Sequence, residues 1–212
     1  MVAKFVSKCA HLVLSRRLVN NMKEVKSILF IGVGGQGTIL ASKILSEGLL
    51  RHGYDVKMSE VHGMAQRGGS VTTQVRFGEK VYSPLIEKGK ADVIVAFEKS
   101  EALRAIPYLK DGGHLVVNDY EIHPVPVLIG EEKYPEGVNE VLKATVPNTL
   151  ILNAAEVAKN LGNIKAQNVV LLGALLKALK LEEINWEDVV ATLVPEKAIE
   201  LNKKALKAGM EA

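Results

Sequence analysis

Cysteine is almost missing from this chain: Cys9 stands alone. A single cysteine forms no internal disulfide, and it cannot supply the four thiolates of an iron–sulfur cluster. The expectation is a reduced, intracellular, cytoplasmic protein, with any cluster its function needs carried by another polypeptide. Aromatic residues are scarce at 5%, no run of lysine and arginine is interleaved with them, and the net charge is only +3. Together these argue against a nucleic-acid partner. No apolar run is long enough to span a membrane. His52, Asp55 and Asp119 show no metal-ligand spacing, so no metal is expected. Acid is absent before Glu24, while Lys4, Lys8, Arg16, Arg17 and Lys23 are basic. That composition is like a mitochondrial presequence and unlike a secretory signal, because Lys8 interrupts the apolar run. The plainest reading makes residues 1–26 an N-terminal extension, with Met22 as the true start.

What remains is ordinary globular sequence. The chain has 212 residues, 48% hydrophobic and 24% charged, enough for one α/β domain and too little for two large ones. Ser27 to Val33 is a short apolar run ending in glycines, read as a buried parallel strand. Apolar residues from Ile39 to Leu49 recur at helical spacing, and Gly53 stands where a C-cap belongs. Asp55 to Val61 reads as a second strand, completing a βαβ unit. Val71, Thr73, Val75 and Phe77 alternate with polar residues, predicting a half-exposed, antiparallel edge strand. Ala91 to Phe97 is continuously apolar and buried. Lys99 to Leu109 is expected to be helical, His114 to Asn118 and Thr149 to Leu152 extended, and Gly137 to Ala144 a short helix. From Asn163 the chain is helical, apolar nearly all round to Leu181, with Asn185 capping one further helix and Pro195 opening another. The fold class is therefore α/β: Rossmann-like, a mostly parallel sheet with flanking helices and a helical C-terminal tail, one domain over residues 27–212.

Two stretches carry chemistry. Gly32-Val33-Gly34-Gly35-Gln36-Gly37 reads G-x-G-x-x-G between a strand and a helix. Glycines there allow a tight turn and close approach to a phosphate at the helix N-terminus. Glu60 follows roughly twenty residues on, where a ribose-binding acid would sit. A stand-alone NAD(P)-dependent dehydrogenase, or a regulatory Rossmann domain, meets these formal conditions. Against it, close strand–helix packing explains at least two of the glycines, and the Gln36 amide would crowd a pyrophosphate while suiting a hydrogen bond to a partner chain. No second βαβαβ half is visible for the nicotinamide.

The second stretch is Glu60-Val61-His62-Gly63-Met64-Ala65-Gln66-Arg67-Gly68-Gly69-Ser70. GVGGQG followed by ILAS, this EVHGMAQRGGS running into VTTQVRFG, and then SPLI at Ser83 to Ile86 together resemble the gamma-type domain of the 2-oxoacid:ferredoxin oxidoreductases. Within that family HGMAQRGGSV is similar to the indolepyruvate branch. The resemblance runs from about Ile28 into the C-terminal helices, where Asn168 and Leu172 to Leu175 fit it. Glu87 and Lys88 depart from it where a proline is expected, and the first 21 residues are extra.

The resemblance implies a beta-type subunit, inactive alone, of an enzyme that oxidatively decarboxylates indolepyruvate and related arylpyruvates with coenzyme A. The products are an aryl-acetyl-CoA and CO2, as in amino-acid catabolism, and the electrons pass to ferredoxin. It implies that thiamine diphosphate and [4Fe–4S] clusters sit on a larger alpha subunit and that this chain alone binds no cofactor. The cofactor-binding or interface candidates are Gly34, Gly35, Gln36, Gly37, Glu60, His62, Gly63, Gln66, Arg67, Gly68, Gly69 and Ser70. Gly63, Gly68 and Gly69 permit close backbone approach. Arg67 offers a planar fork to phosphate or carboxylate. His62 is the one candidate proton carrier, although a lone histidine is more often structural. Asn118 and Asp119 close a strand on the side where α/β sheets bind ligands. His114 and His123 read as structural.

Overall fold

The structure, a computed structural model, describes residues 24–62 and 68–212. The expected extension at residues 1–23, with Cys9, and the stretch Gly63, Met64, Ala65, Gln66 and Arg67 lie outside the described residues. Within them, β1 (Lys26–Val33) leads through the glycine turn into α1 (Thr38–Arg51), then β2 (Asp55–His62), β3 (Ser70–Gly78) and β4 (Ala91–Ala96). There follow α2 (Lys99–Ala105), a 3-10 turn at Ile106–Tyr108, β5 (Leu109–Asn118), α3 (Val125–Leu128), α4 (Val138–Thr145) and β6 (Thr149–Leu152). The helical tail is α5 (Ala154–Asn160), a 3-10 turn at Ile164–Ala166, α6 (Gln167–Leu179), α7 (Trp186–Leu193), a 3-10 turn at Glu196–Ala198 and α8 (Ile199–Glu211).

The six strands form one sheet in the order β2-β3-β1-β4-β5-β6. β1, β4, β5 and β6 pair in parallel, whereas β3 is antiparallel to both β1 and β2. Two expectations change here. β3 is antiparallel as its alternation implied, but it is not at the edge; β2 is. The unit β1–α1–β2 is present, but β3 separates its strands, because β2 turns back as a hairpin and β3 fills the gap beside β1. The Lys99–Leu109 helix is shorter than expected. Pro107 lies in the 3-10 turn that ends it, and Leu109 already belongs to β5.

Helices cover both faces of the sheet. On one face Ile28, Phe30, Val75, Phe77, Val93, Val95 and Val116 pack against apolar residues of α1, α5, α6, α7 and α8. On the other, Leu29, Ile31, Ile94, Ala96, Leu115 and Val117 meet α2 and α4. The apolar-all-round helix is thus covered from within: Asn168 through Leu176 are buried between the sheet and the tail. α6 crosses α8 with backbone touching backbone. A Cβ on Gly173 would lie 2.2 Å from the Leu206 carbonyl oxygen, and one on Gly209 would lie 1.9 Å from that of Val170. The α1 C-terminus closes as its sequence signalled, with Gly53 at φ 82° and the Tyr54 N–H donating to the Leu49 carbonyl at 3.2 Å. α6 ends similarly at Lys180, whose φ of 56° is the left-handed value that glycine normally supplies.

Candidate functional site

The ends of β1, β2, β4, β5 and β6, and the start of β3, lie along one edge of the sheet. In open α/β sheets ligands bind at that carboxyl edge, in the crevice where the strand order reverses. Here the reversal falls between β1 and β4, which is where the glycine turn sits.

That crevice is filled from within. The side-chain oxygen Oε1 of Gln36 accepts from the Val33 N–H at 2.7 Å, and its Nε2 donates to the Phe97 carbonyl at 2.8 Å. One amide therefore joins the end of β1 to the end of β4. The Asn118 Nδ2 donates to the same Phe97 carbonyl at 3.2 Å and to the Gln167 Oε1 at 3.3 Å, while its Oδ1 accepts from the Ala154 N–H at 3.0 Å. Asn168 reaches the Gly37 carbonyl at 3.2 Å. Gln36, Asn118 and Asn168 are all buried. The result is a chain of amides across three strand ends, α5 and α6, each partner satisfied, which stiffens the edge because any opening would strand buried polar groups. Gln36 is turned inward, onto Val33 and Phe97.

The glycines fit this packing. A Cβ on Gly32 would meet the Gln36 Oε1 and the Phe97 Cβ, each at 2.8 Å, and one on Gly37 would meet the Asn168 Nδ2 at 2.5 Å. Gly35, at φ 102°, has nothing within 4 Å of its Cβ position among the described residues and is exposed. Glu60 does not stand beside the turn. Its register partner is Thr73, which pairs across the next ladder with Phe30. The acid therefore lies two strands from β1, about 10 Å away, and level with a residue four before Gly34. A dinucleotide fold needs that acid on the strand adjacent to β1. The arrangement does not make a pyrophosphate cradle, and the NAD(P) alternative has no geometric support among the described residues.

The two sequence stretches do meet. The Gly34 N–H donates to the Gly69 carbonyl at 2.9 Å. Ser70, opposite Val33 in register, donates its hydroxyl to the Glu101 carboxylate at 2.5 Å. Glu101 is buried and also accepts from Arg104 at 3.0 Å. Gly34, Gly35, Gln36, Gly37, Gly68, Gly69 and Ser70 thus form one continuous edge. His62 ends β2 at that edge. Gly63, Gln66 and Arg67 lie outside the described residues.

Sequence reasoning flagged Asp119 but missed the rest of a second cluster beside this edge. Glu98 is fully buried and caps α2. Its carboxylate accepts from the Glu101 N–H at 2.9 Å, the Ser100 hydroxyl at 2.6 Å, the Ile122 N–H at 3.4 Å and the Tyr134 hydroxyl. Burial, reinforced by the hydrogen bond to Glu98, pushes the Tyr134 hydroxyl well above the ordinary tyrosine value. Lys99 pairs with Asp119 at 3.2 Å and Glu121 at 2.6 Å. The hydrogen bond from Asn139 and the Lys99 ammonium hold Asp119 below its usual range, against the opposing effect of burial. The signal that could have found this cluster was Glu-x-x-Glu at Glu98 and Glu101, an acid pair spaced like a capping box at a helix start. Among the described residues, no group of three histidine, cysteine, aspartate or glutamate side chains is placed to hold a metal ion, and no helix is long and apolar enough to cross a membrane.

Residues 27–212 match the model of the pyruvate ferredoxin/flavodoxin oxidoreductase family. The chain is 43% identical, over 90% of its length and 96% of the relative's, to a Thermococcus kodakarensis protein named indolepyruvate oxidoreductase subunit IorB. Its fold is similar to the gamma subunit of a keto/oxoacid ferredoxin oxidoreductase from Geobacter sulfurreducens, with a TM-score of 0.65 and 28% identity over 88% of this chain and 96% of that one. A 2-oxoglutarate:ferredoxin oxidoreductase from Magnetococcus marinus, solved with 2-oxoglutarate, coenzyme A and succinyl-CoA bound, contains the same fold at a TM-score of 0.66 and 22% identity. The match covers 89% of this chain and 31% of that longer one.

Proposed function

The chain belongs to the pyruvate ferredoxin/flavodoxin oxidoreductase family, and from that premise we propose that it is the smaller, beta-type subunit of an indolepyruvate:ferredoxin oxidoreductase, working in the cytoplasm and inactive alone. The assembly would convert an arylpyruvate and coenzyme A to an aryl-acetyl-CoA and CO2, with ferredoxin taking the electrons released as the carboxylate leaves. The likeness over nine-tenths of the chain to a named indolepyruvate oxidoreductase subunit carries this reading. The filled crevice supports it from the other side. With Gln36 lodged between β1 and β4, the glycine turn serves packing, and no pyrophosphate cradle is formed among the described residues.

In this reading thiamine diphosphate and the [4Fe–4S] clusters sit on the larger alpha subunit and supply the decarboxylation and electron-transfer chemistry there. This chain's own residues shape the interface. The amide chain holds the edge stiff. Gly35, with nothing near its Cβ position, lets a partner's backbone come close. The stretch from Glu60 and His62 through Gly63, Gln66, Arg67, Gly68 and Gly69 faces the partner and covers the active site. Arg67 presents its fork to a phosphate of coenzyme A, the diphosphate of thiamine or a partner carboxylate.

The test is an anaerobic pull-down from the native source with this chain as bait. The eluate is then assayed for dye reduction dependent on both indolepyruvate and coenzyme A. A larger iron–sulfur, thiamine-containing chain should co-elute with activity. Elution of the chain alone, with a silent assay and saturable binding of NAD or NADP, would sink the reading.

A further inference from the structure

Resting on the reading of this chain as a subunit, we propose that the turn of helix α3 anchors it to the larger subunit, docking an apolar ridge with an acidic rim onto an apolar surface rimmed by lysine and arginine. Val125, Leu128 and Ile129 stand at i, i+3 and i+4, so they share one face of the turn. They are 66%, 69% and 62% exposed. None contributes to either core, so folding of the domain does not need them to be apolar. Isolated leucines on a surface need no explanation, but three large apolar side chains side by side mark an interaction site.

The ridge is also held in place, so that docking does not have to pay for its ordering. Its own turn is closed by the Leu128 N–H and the Val127 N–H, both donating to the Pro124 carbonyl at 3.0 Å. On one flank the Ile122 N–H is bound to Glu98, and on the other the Tyr134 hydroxyl is bound to the same carboxylate. Lys99 fixes the residues leading into it through Asp119 and Glu121. These pins belong to the cluster at the carboxyl edge of the sheet, so the ridge is continuous with the edge assigned above to the partner.

Charge identifies the occupant. Residues 121 to 136 hold four acids, Glu121, Glu131, Glu132 and Glu136, against the single Lys133, in a chain whose net charge is +3; Lys99 already pairs with Glu121, so Glu131, Glu132 and Glu136 make the rim. All four acids are exposed. A second copy docking ridge to ridge about a two-fold axis would bring these acids against themselves, which repels. A basic rim on the larger subunit is complementary, and it would raise the association rate at low salt.

The experiment is a binding titration between the purified chain and its larger subunit, under anaerobic conditions. It uses the wild type, the double variant Leu128→Asp/Ile129→Asp and the double variant Glu131→Lys/Glu132→Lys. The ridge variant should keep the wild-type melting temperature as an isolated chain and bind the larger subunit roughly ten-fold or more weakly. The rim variant should associate more slowly and show a flatter dependence of the on-rate on salt. Binding of both variants at wild-type affinity and rate overturns the ridge while leaving the subunit reading intact. Loss of self-association in the ridge variant, with binding to the larger subunit unchanged, overturns it in favour of a second copy. Failure of the wild-type chain to bind any larger subunit overturns the subunit reading itself, and the ridge with it.

Discussion

The α6–α8 crossing and the glycine turn both bring backbone close to other atoms, but for different reasons. At the crossing, Gly173 and Gly209 are glycine because another helix's backbone occupies the space a side chain would need. In the turn, Gly32 and Gly37 give way to side chains of the same chain, Gln36 and Asn168, while Gly35 looks onto open space among the described residues. One region is closed to everything by main chain. The other is closed by amides that hydrogen-bond, and it keeps one position free for something from outside. The same residue type therefore reports packing in one place and an available surface in the other, and the neighbours decide which.

Substitutions can break this contrast, and the largest effect belongs to the crossing. Gly209→Ala places a methyl group inside the Val170 carbonyl, which backbone cannot evade without the helices parting. The expected loss is about 3 kcal/mol or more of stability, with a lowered melting temperature or failure to fold. Next is Gln36→Ala, which leaves the Val33 N–H buried without its partner and the Phe97 carbonyl with Asn118 alone. Roughly 1–3 kcal/mol should be lost in denaturant unfolding, and NAD binding should still not appear on titration. Gly35→Ala meets no atom, so its cost is confined to the positive φ, about 1–2 kcal/mol. Its sharper outcome is in the complex, where affinity for the larger subunit should fall by more than that stability change accounts for. The smallest effect runs the other way. Lys180→Gly relieves a left-handed non-glycine residue at the α6 C-terminus and should stabilise by roughly 0.5–1 kcal/mol, seen as a modest rise in melting temperature with complex formation unchanged.

Much of the fold was legible because periodicity encodes it. β1, β4 and β6 are short apolar runs between breakers. α1 and the tail helices carry their apolar stripes and caps, down to Gly53 and Asn185. Strand order was not legible, because alternation in β3 says that one face is buried and nothing about which neighbours it pairs with. The hairpin therefore read as an edge, and the β1–α1–β2 crossover as adjacent strands. At the site, the turn was visible in Gly32 to Gly37, but its occupant was not. Gln36 is a polar residue whose two partners, Val33 and Phe97, include one 61 positions away, and no local pattern predicts that. Glu98 and Tyr134 were missed for the same reason, since a buried carboxylate satisfied by neutral donors leaves no charge partner in the sequence. Gly34, Gly69 and Ser70 were flagged in separate motifs, and the structure joins them.

The Gln36 bond to Val33 also provides a clock. Most protected amides in β1 are held by the ladders to β3 and β4 and report on opening of the sheet. The Val33 N–H is held by a side chain instead, so its exchange with solvent hydrogen follows release of one glutamine rather than separation of strands. Its exchange rate, measured beside that of Phe30, separates loosening of the strand-end edge from unfolding of the domain beneath it.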